Sequence, residues 1–178
     1  MDVEPDRENV VGMNVLLLSD THLGEGQGGR LVDRLNSHLD TADVIIHAGD
    51  ITDASVLTAL QEYAPVHAVL GNNDRGMILP ERLVVELDGC AVAVVHDSGP
   101  AGGRSARLRR WFPQADVVVF GHSHIPWHEI DVDPANGHLQ HHVNPGSAMQ
   151  RRSAPHHTAA VLQLHNGGVA EVSHIVLP

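Results

Sequence analysis

Five times along this 178-residue chain a short apolar run ends in aspartate, asparagine or histidine: SDTHLG (19–24), HAGD (47–50), GNND (71–74), VHD (95–97) and GHSH (121–124). That recurrence constrains the fold more than any other feature. Continuous apolar runs such as Val15 to Leu18 and Val44 to His47 suit strands buried on both faces, and the segments Arg30 to Leu39 and Ala54 to Tyr63 are long enough for crossover helices. With a third run at Val66 to Leu70, the first half reads as βαβαβ around a parallel sheet. Ligands gather beyond the carboxyl ends of such strands, so Asp20, Asp50 and Asn72 should project into one shared site. His96, His122 and His124 follow later apolar runs in the same way. Carboxylate, amide oxygen and imidazole are donors for divalent transition ions, so a metal centre is the chemistry that suits them.

The second half reads differently. Leu83 to Val95 resembles two strands around Asp88-Gly89, a dipeptide that tolerates the positive φ angles of a hairpin turn, and a second sheet is expected to begin there. A helix is predicted from Arg104 to Trp111, closed by Pro113, and a strand at Val117 to Phe120. Trp127 to Val132, Leu139 to Val143, Thr158 to Leu164 and Val169 to Val176 read as antiparallel strands, the last two joined at Asn166-Gly167. No repeat or linker divides the chain, so residues 13–178 are expected to form a single domain behind a flexible tail over residues 1–12.

Composition narrows the class of partner. A formal charge of −11 repels a polyphosphate backbone, and aromatics at 3% leave little for base stacking, so a nucleic acid polymer is a poor partner. A small anionic substrate held by metal fits better. Cys90 is the only cysteine, which excludes an internal disulfide and a thiolate zinc cluster and suits a buried small apolar role. No stretch is long enough to span a membrane, and the acidic start MDVEPDRENVVG lacks the order of a secretory signal, so a cytoplasmic protein is expected. An apolar strand or hairpin edge could support a homo-oligomer.

Singly, each motif is weak: an aspartate after a strand can be a helix cap, and a lone histidine is ordinarily packed or solvated. The spacing of Asp20 with His22, and of His122 with His124, lets both side chains of a pair face one way if extended geometry persists. Together and in order, the five resemble the calcineurin-like metallophosphoesterase superfamily, whose pattern runs D-x-H, GD, GNHD or GNCD, a histidine, then GHxH. The likeness spans residues 15–147; with NPGS (144–147) it is similar to the small bacterial and archaeal phosphodiesterase branch, to which a retromer subunit is related.

The resemblance implies an α/β fold, a four-layer α/β/β/α sandwich with two mixed β-sheets. It implies one divalent ion held by Asp20, His22, Asp50 and His124 and a second by Asp50, Asn72, His96 and His122, with Asp50 shared. Such a mixed N/O set fits manganese foremost, or iron, zinc or nickel. The implied activity is a two-metal phosphodiesterase in which a bridging hydroxide attacks phosphorus in line. A phosphomonoesterase, or a non-catalytic protein-interaction scaffold of the same fold, is the alternative. Asn73 and Asp74 occupy the catalytic positions of the third motif; Asn73 stands where relatives carry a proton-donating histidine, and an amide can only hydrogen-bond a phosphate oxygen. Asp74 would orient Asn73 or a loop amide. Among Arg104, Arg107, Arg109 and Arg110, Arg104 is the candidate phosphate clamp. Asp97 adds negative charge where relatives carry glycine. His47 is read as packed or solvated, His138, His141, His142, His156 and His157 as a solvated edge, and Asn144 and Ser147 as turn-forming supports.

Overall fold

A computed structural model describes residues 12–178; the tail expected over residues 1–12 lies, apart from Gly12, outside them. The elements run β1 (Met13–Leu18), α1 (Gly28–Leu35), α2 (Ser37–Asp40), β2 (Val44–His47), α3 (Ala54–Gln61), β3 (Val66–Ala68), β4 (Arg82–Leu87), β5 (Cys90–Val95), α4 (Arg104–Trp111), β6 (Val117–Val119), β7 (Trp127–Val132), β8 (Leu139–Asn144), β9 (His157–His165) and β10 (Gly168–Leu177). They build two five-stranded sheets, β10-β9-β1-β2-β3 and β4-β5-β6-β8-β7. Both are mixed: β1, β2 and β3 are parallel while β9 runs against β1, and β6 is parallel to β5 and β8 while β4 and β7 run against their neighbours.

Side-chain alternation sorts the core into layers. Val15 and Leu17 point into the space between the sheets with Ile46, Val92, Val94, Val117, Val119, Val143 and Leu162. Leu16 and Leu18 point outward against Leu31 and Leu35 of α1 and Val56 and Leu60 of α3. On the far side of the second sheet, Ala93, Val95 and Val118 meet Leu108 of α4, with Phe112 and Phe120. Helices outside and sheets inside make the four-layer α/β/β/α arrangement.

Three expectations need correction. The helix expected from Arg30 to Leu39 is broken at Asn36, whose φ of 40° ends α1 and starts α2. Asparagine is among the few residues that tolerate the left-handed region, and the break returns Leu39 to the core. The strand expected to reach Leu70 stops short of it: Val69 N still donates to the His47 carbonyl, but the Leu70 amide bonds instead to the Pro80 carbonyl. The last four strands are not simply antiparallel to one another: β8 lies between β7 and β6 and is parallel to β6, and the β9–β10 hairpin returns to the first sheet against β1. Both Asp-Gly and Asn-Gly turns form, with φ of 47° and 76° at Asp88-Gly89 and 51° and 78° at Asn166-Gly167. Among the described residues, no helix is long and apolar enough to cross a membrane. Cys90 is fully buried and its thiol is pushed up to about 12 by burial and the neighbouring Asp116, which leaves it inert.

Candidate metal centre

Every motif stands at the carboxyl end of its strand. Asp20 and His22 follow β1, Asp50 follows β2, Asn72 follows β3, His96 follows β5, and His122 and His124 follow β6. The extended geometry expected to align the pairs does not persist. Asp20, His22, Asp50, His122 and His124 all have left-handed backbone, with φ of 54°, 46°, 54°, 68° and 60°, and they make up five of the ten non-glycine residues with positive φ among those described. Each such residue costs about 1–2 kcal/mol, so their concentration at one place marks a site where surrounding contacts impose the backbone.

Those turns draw the donors into one cluster. His124 Nε2 lies 3.3 Å from Asp20 Oδ1, and His22 Nε2 lies 4.0 Å from the same atom and 3.2 Å from Asp50 Oδ2. His96 Nε2 is 3.5 Å from Asp50 Oδ2 and 3.1 Å from Asn72 Oδ1, which is 2.9 Å from His122 Nδ1. All seven candidates therefore join one continuous set. The floor is buried at Asp20, Asp50, His96 and His124, whereas Asn72 and His122 are exposed and form an open rim.

The donor atoms fit a cation. Asp20 Oδ1, His22 Nε2 and His124 Nε2 are buried without a hydrogen-bond partner and lie within 4.8 Å of one another, as do donor atoms of Asp20, Asp50 and His96. A buried unpaired polar atom costs about 1–3 kcal/mol, so three facing one point favour a shared positive ligand. Two imidazoles are aimed from behind: His96 Nδ1 contacts the Ala48 carbonyl at 2.7 Å, and His124 Nδ1 contacts the Gln150 carbonyl. Such contacts leave Nε2 for the cation. Burial alone would raise the Asp50 carboxyl, yet contact with His22, His96 and Asn73 overrides it and holds the group well below the usual carboxylate range. Asp20 behaves likewise, with His124 and Ser19 opposing burial. Both carboxylates are thus anionic at neutral pH.

Glycine precedes Asp50, Asn72 and His122 because the strand ends touch. A Cβ on Gly71 would stand 2.2 Å from Asp50 N and Oδ1; one on Gly121 would stand 1.8 Å from Ser19 Oγ and 2.7 Å from Asp20 Oδ2. Gly49, with φ of 90°, would press on Gly71 N at 2.7 Å. No larger residue could sit there without moving a donor.

The remaining candidates have other contacts. Asn73 N and Nδ2 donate to the two oxygens of Asp50 at 2.8 and 2.7 Å, so its amide lies on that carboxylate. Asp74 accepts from Thr52 N and Gly71 N, both at 2.7 Å, and ties the loops after β2 and β3 together. Arg104 lies across Phe120 and Trp127, 5.1 and 5.0 Å from their ring centroids, and no hydrogen bond among the described residues joins it to the cluster. Arg107 caps carbonyls of Ser98, Pro100 and Gly102, and Arg109 pairs with Asp131. Asn144 Nδ2 holds the Gly121 carbonyl at 3.0 Å and Ser147 Oγ the Asp20 carbonyl at 2.7 Å, so the NPGS turn does brace the cluster. Sequence reasoning missed Gln150, which orients His124, and Arg152, whose Nη1 reaches the His122 carbonyl; the arginine doublet shortly after NPGS was the available signal.

The solvated-edge expectation fails at His142, which is fully buried against Gln140, and at His141, half-buried and stacked on His128. Their strand β8 is interior to its sheet rather than at its edge, which is why imidazoles there are covered. His47 is packed, with Nε2 3.1 Å from Thr21 Oγ1. Burial pushes both His47 and His142 down to about 4. An unfolded imidazole titrates near about 6.5, so between these values the unfolded chain takes up a proton that the folded state refuses. This part of the stability is complete above pH 6.5 and is expected to fall by about 1.4 kcal/mol per pH unit per residue towards pH 4. Urea unfolding of the metal-free protein over that range should show a shallower decline for His142→Gln than for the parent; parallel slopes would contradict it.

Facing mixed sheets with an Asp, His and Asn cluster at the strand ends define an α/β protein with a candidate metal centre. The chain belongs to the calcineurin-like phosphoesterase superfamily, whose domain pattern matches residues 13–167. It is 33% identical over 138 residues to a protein of Methanocaldococcus jannaschii named probable metallophosphoesterase, covering 76% of this chain and 68% of that protein. A solved archaeal phosphodiesterase has 22% identity and a TM-score of 0.69, covering 93% of this chain and 100% of its own. Vps29 of Entamoeba histolytica, at 20% identity and a TM-score of 0.68, covers 93% and 100%. At those identities the two structures speak to the fold alone.

Proposed function

We propose that this protein is a two-metal phosphodiesterase that hydrolyses a small phosphate ester. The observation that carries the reading is the meeting of seven nitrogen and oxygen donors from five strand ends, three of them buried without partners. Asp20, His22, Asp50 and His124 would hold one divalent ion and Asp50, Asn72, His96 and His122 the other, with manganese foremost and iron, zinc or nickel suited to the same donors. Two such ions supply positive charge to the phosphoryl oxygens and a bound water acidic enough to act near neutral pH. The chain's own part is positioning: Ala48 and Gln150 carbonyls aim His96 and His124, Asn73 steadies Asp50, and Asp74 pins the two loops that carry them. The test is turnover of bis-p-nitrophenyl phosphate with added manganese, set against p-nitrophenyl phosphate and the Asp50→Asn variant. Faster diester than monoester turnover supports the reading; a parent no faster than Asp50→Asn overturns it.

Asn73 shapes the substrate range. Its amide cannot protonate a departing alkoxide, so aryl esters should be cleaved far faster than alkyl esters. Asn73→His is expected to narrow the aryl-to-alkyl gap in kcat/KM, and an unchanged gap would count against a role for this position in leaving-group departure.

A further inference from the structure

The loop after Asn144 is fastened to the cluster from below. Ser147 Oγ donates to the Asp20 carbonyl at 2.7 Å, Gln150 N donates to Ser147 Oγ at 2.8 Å, and the Gln150 carbonyl faces His124 Nδ1. The two arginines that follow diverge. Arg151 folds back on its own loop, with Nη1 2.5 Å from the Pro155 carbonyl. Arg152 turns towards the rim instead: its Nη1 stands 3.5 Å from the carbonyl of His122, the exposed histidine of the cluster. Among the described residues, it alone of the arginines hydrogen-bonds a residue of the cluster.

The contact is long and uses one of five N–H groups, and Arg152 is exposed, so its guanidinium remains available to an anion. Most neighbouring guanidiniums are engaged: Arg82 lies 4.0 Å over the Trp111 ring, Arg104 lies across Phe120 and Trp127, Arg107 is on three carbonyls, and Arg109 is on Asp131. The need is electrostatic. The two ions proposed above would offset the carboxylates on the floor, but the chain as a whole carries −11, so a cationic side chain at the entrance adds attraction for an anionic ester against that background. That entrance is the exposed edge formed by Asn72 and His122.

We infer that Arg152 is the substrate-binding residue of this site, gripping the non-reacting oxygens of the phosphoryl group at the His122 edge. The assignment rests on the phosphoesterase reading. Guanidinium matches two phosphate oxygens at once, which an ammonium cannot do.

The test uses the full chain loaded with manganese. Arg152→Ala is expected to raise KM for bis-p-nitrophenyl phosphate about tenfold with kcat within about twofold, and to weaken calorimetric binding of inorganic phosphate by a similar factor. Arg152→Lys should recover part of the loss. Arg110→Ala, on the exposed face of α4, controls for net charge and should change neither quantity. Manganese content and melting temperature of Arg152→Ala should match the parent, which separates lost binding from lost structure. An active parent with unchanged KM and phosphate affinity in Arg152→Ala overturns this assignment alone. So does a loss confined to kcat, or a loss of phosphate binding seen with Arg75→Ala instead. A parent that neither turns over the diester nor binds phosphate overturns the phosphoesterase reading, and this assignment with it.

Discussion

Asp50→Asn is expected to lower diester turnover at least about a thousandfold, equivalent to about 4 kcal/mol of transition-state stabilisation, and to strip the protein of most of its manganese. The reason is the position of one carboxylate. Asp50 Oδ2 lies within 3.5 Å of both His22 Nε2 and His96 Nε2, so it joins donors that come from β1 and β5. Its charge, held firmly anionic, is what a pair of cations would share. An amide of the same shape offers one oxygen, no charge, and an NH2 group that would face the Asn73 amide or an imidazole nitrogen. The replacement is isosteric, so circular dichroism should match the parent, while the metal-free melting temperature should fall, because the amide loses the contacts with His22, His96 and Asn73 that hold the carboxyl anionic. Metal analysis beside the turnover assay checks the pair of effects. Full manganese occupancy with parental turnover would remove Asp50 from the centre.

Gly71→Ala should be a severely damaging single-methyl change, because the atoms it meets include backbone. The added carbon would sit 2.2 Å from Asp50 N and Oδ1 and 2.9 Å from Asp50 Cα, and the backbone atoms among these have no rotamer by which to escape. Relief requires separating the ends of β2 and β3, which disturbs Asp50, Asn72 and the Asp74 ties at once. Overpacking of this severity costs roughly 3 kcal/mol, or a fall in melting temperature of about 6–12 °C for a chain of this size, together with lost metal. Gly29→Ala is the contrast: it lies in α1 with open space at its Cβ, and helix propensity predicts a neutral or slightly stabilising change. A Gly71→Ala protein that melts with the parent and keeps its metal would show that the strand ends are not packed as described.

The donors were legible because they stand at a recognisable place, the polar residue that stops an apolar run. The hairpin turns at Asp88-Gly89 and Asn166-Gly167 were legible for a similar reason, since their φ angles follow from residue type. Other features were not. Nothing local to Asn73 says that its amide lies on Asp50, 23 positions earlier in the chain, and nothing local to Arg104 says that aromatic rings cover the guanidinium while Arg152 reaches the rim. The left-handed turns at Asp20, His22, His122 and His124 were likewise hidden, because neither aspartate nor histidine announces that conformation as glycine does.

From the amino acids alone came the candidate donors, the number of apolar runs that feed them and the faces those runs bury, all of which depend on residue type and spacing. Folding in three dimensions decided the partners: β8 beside β6, the β9–β10 hairpin back against β1, and the bonds that aim each imidazole. The division has a physical origin. Periodicity specifies which side of a strand is apolar, whereas the neighbour a strand takes and the contact a side chain makes depend on residues distant in sequence, whose approach the whole core must permit.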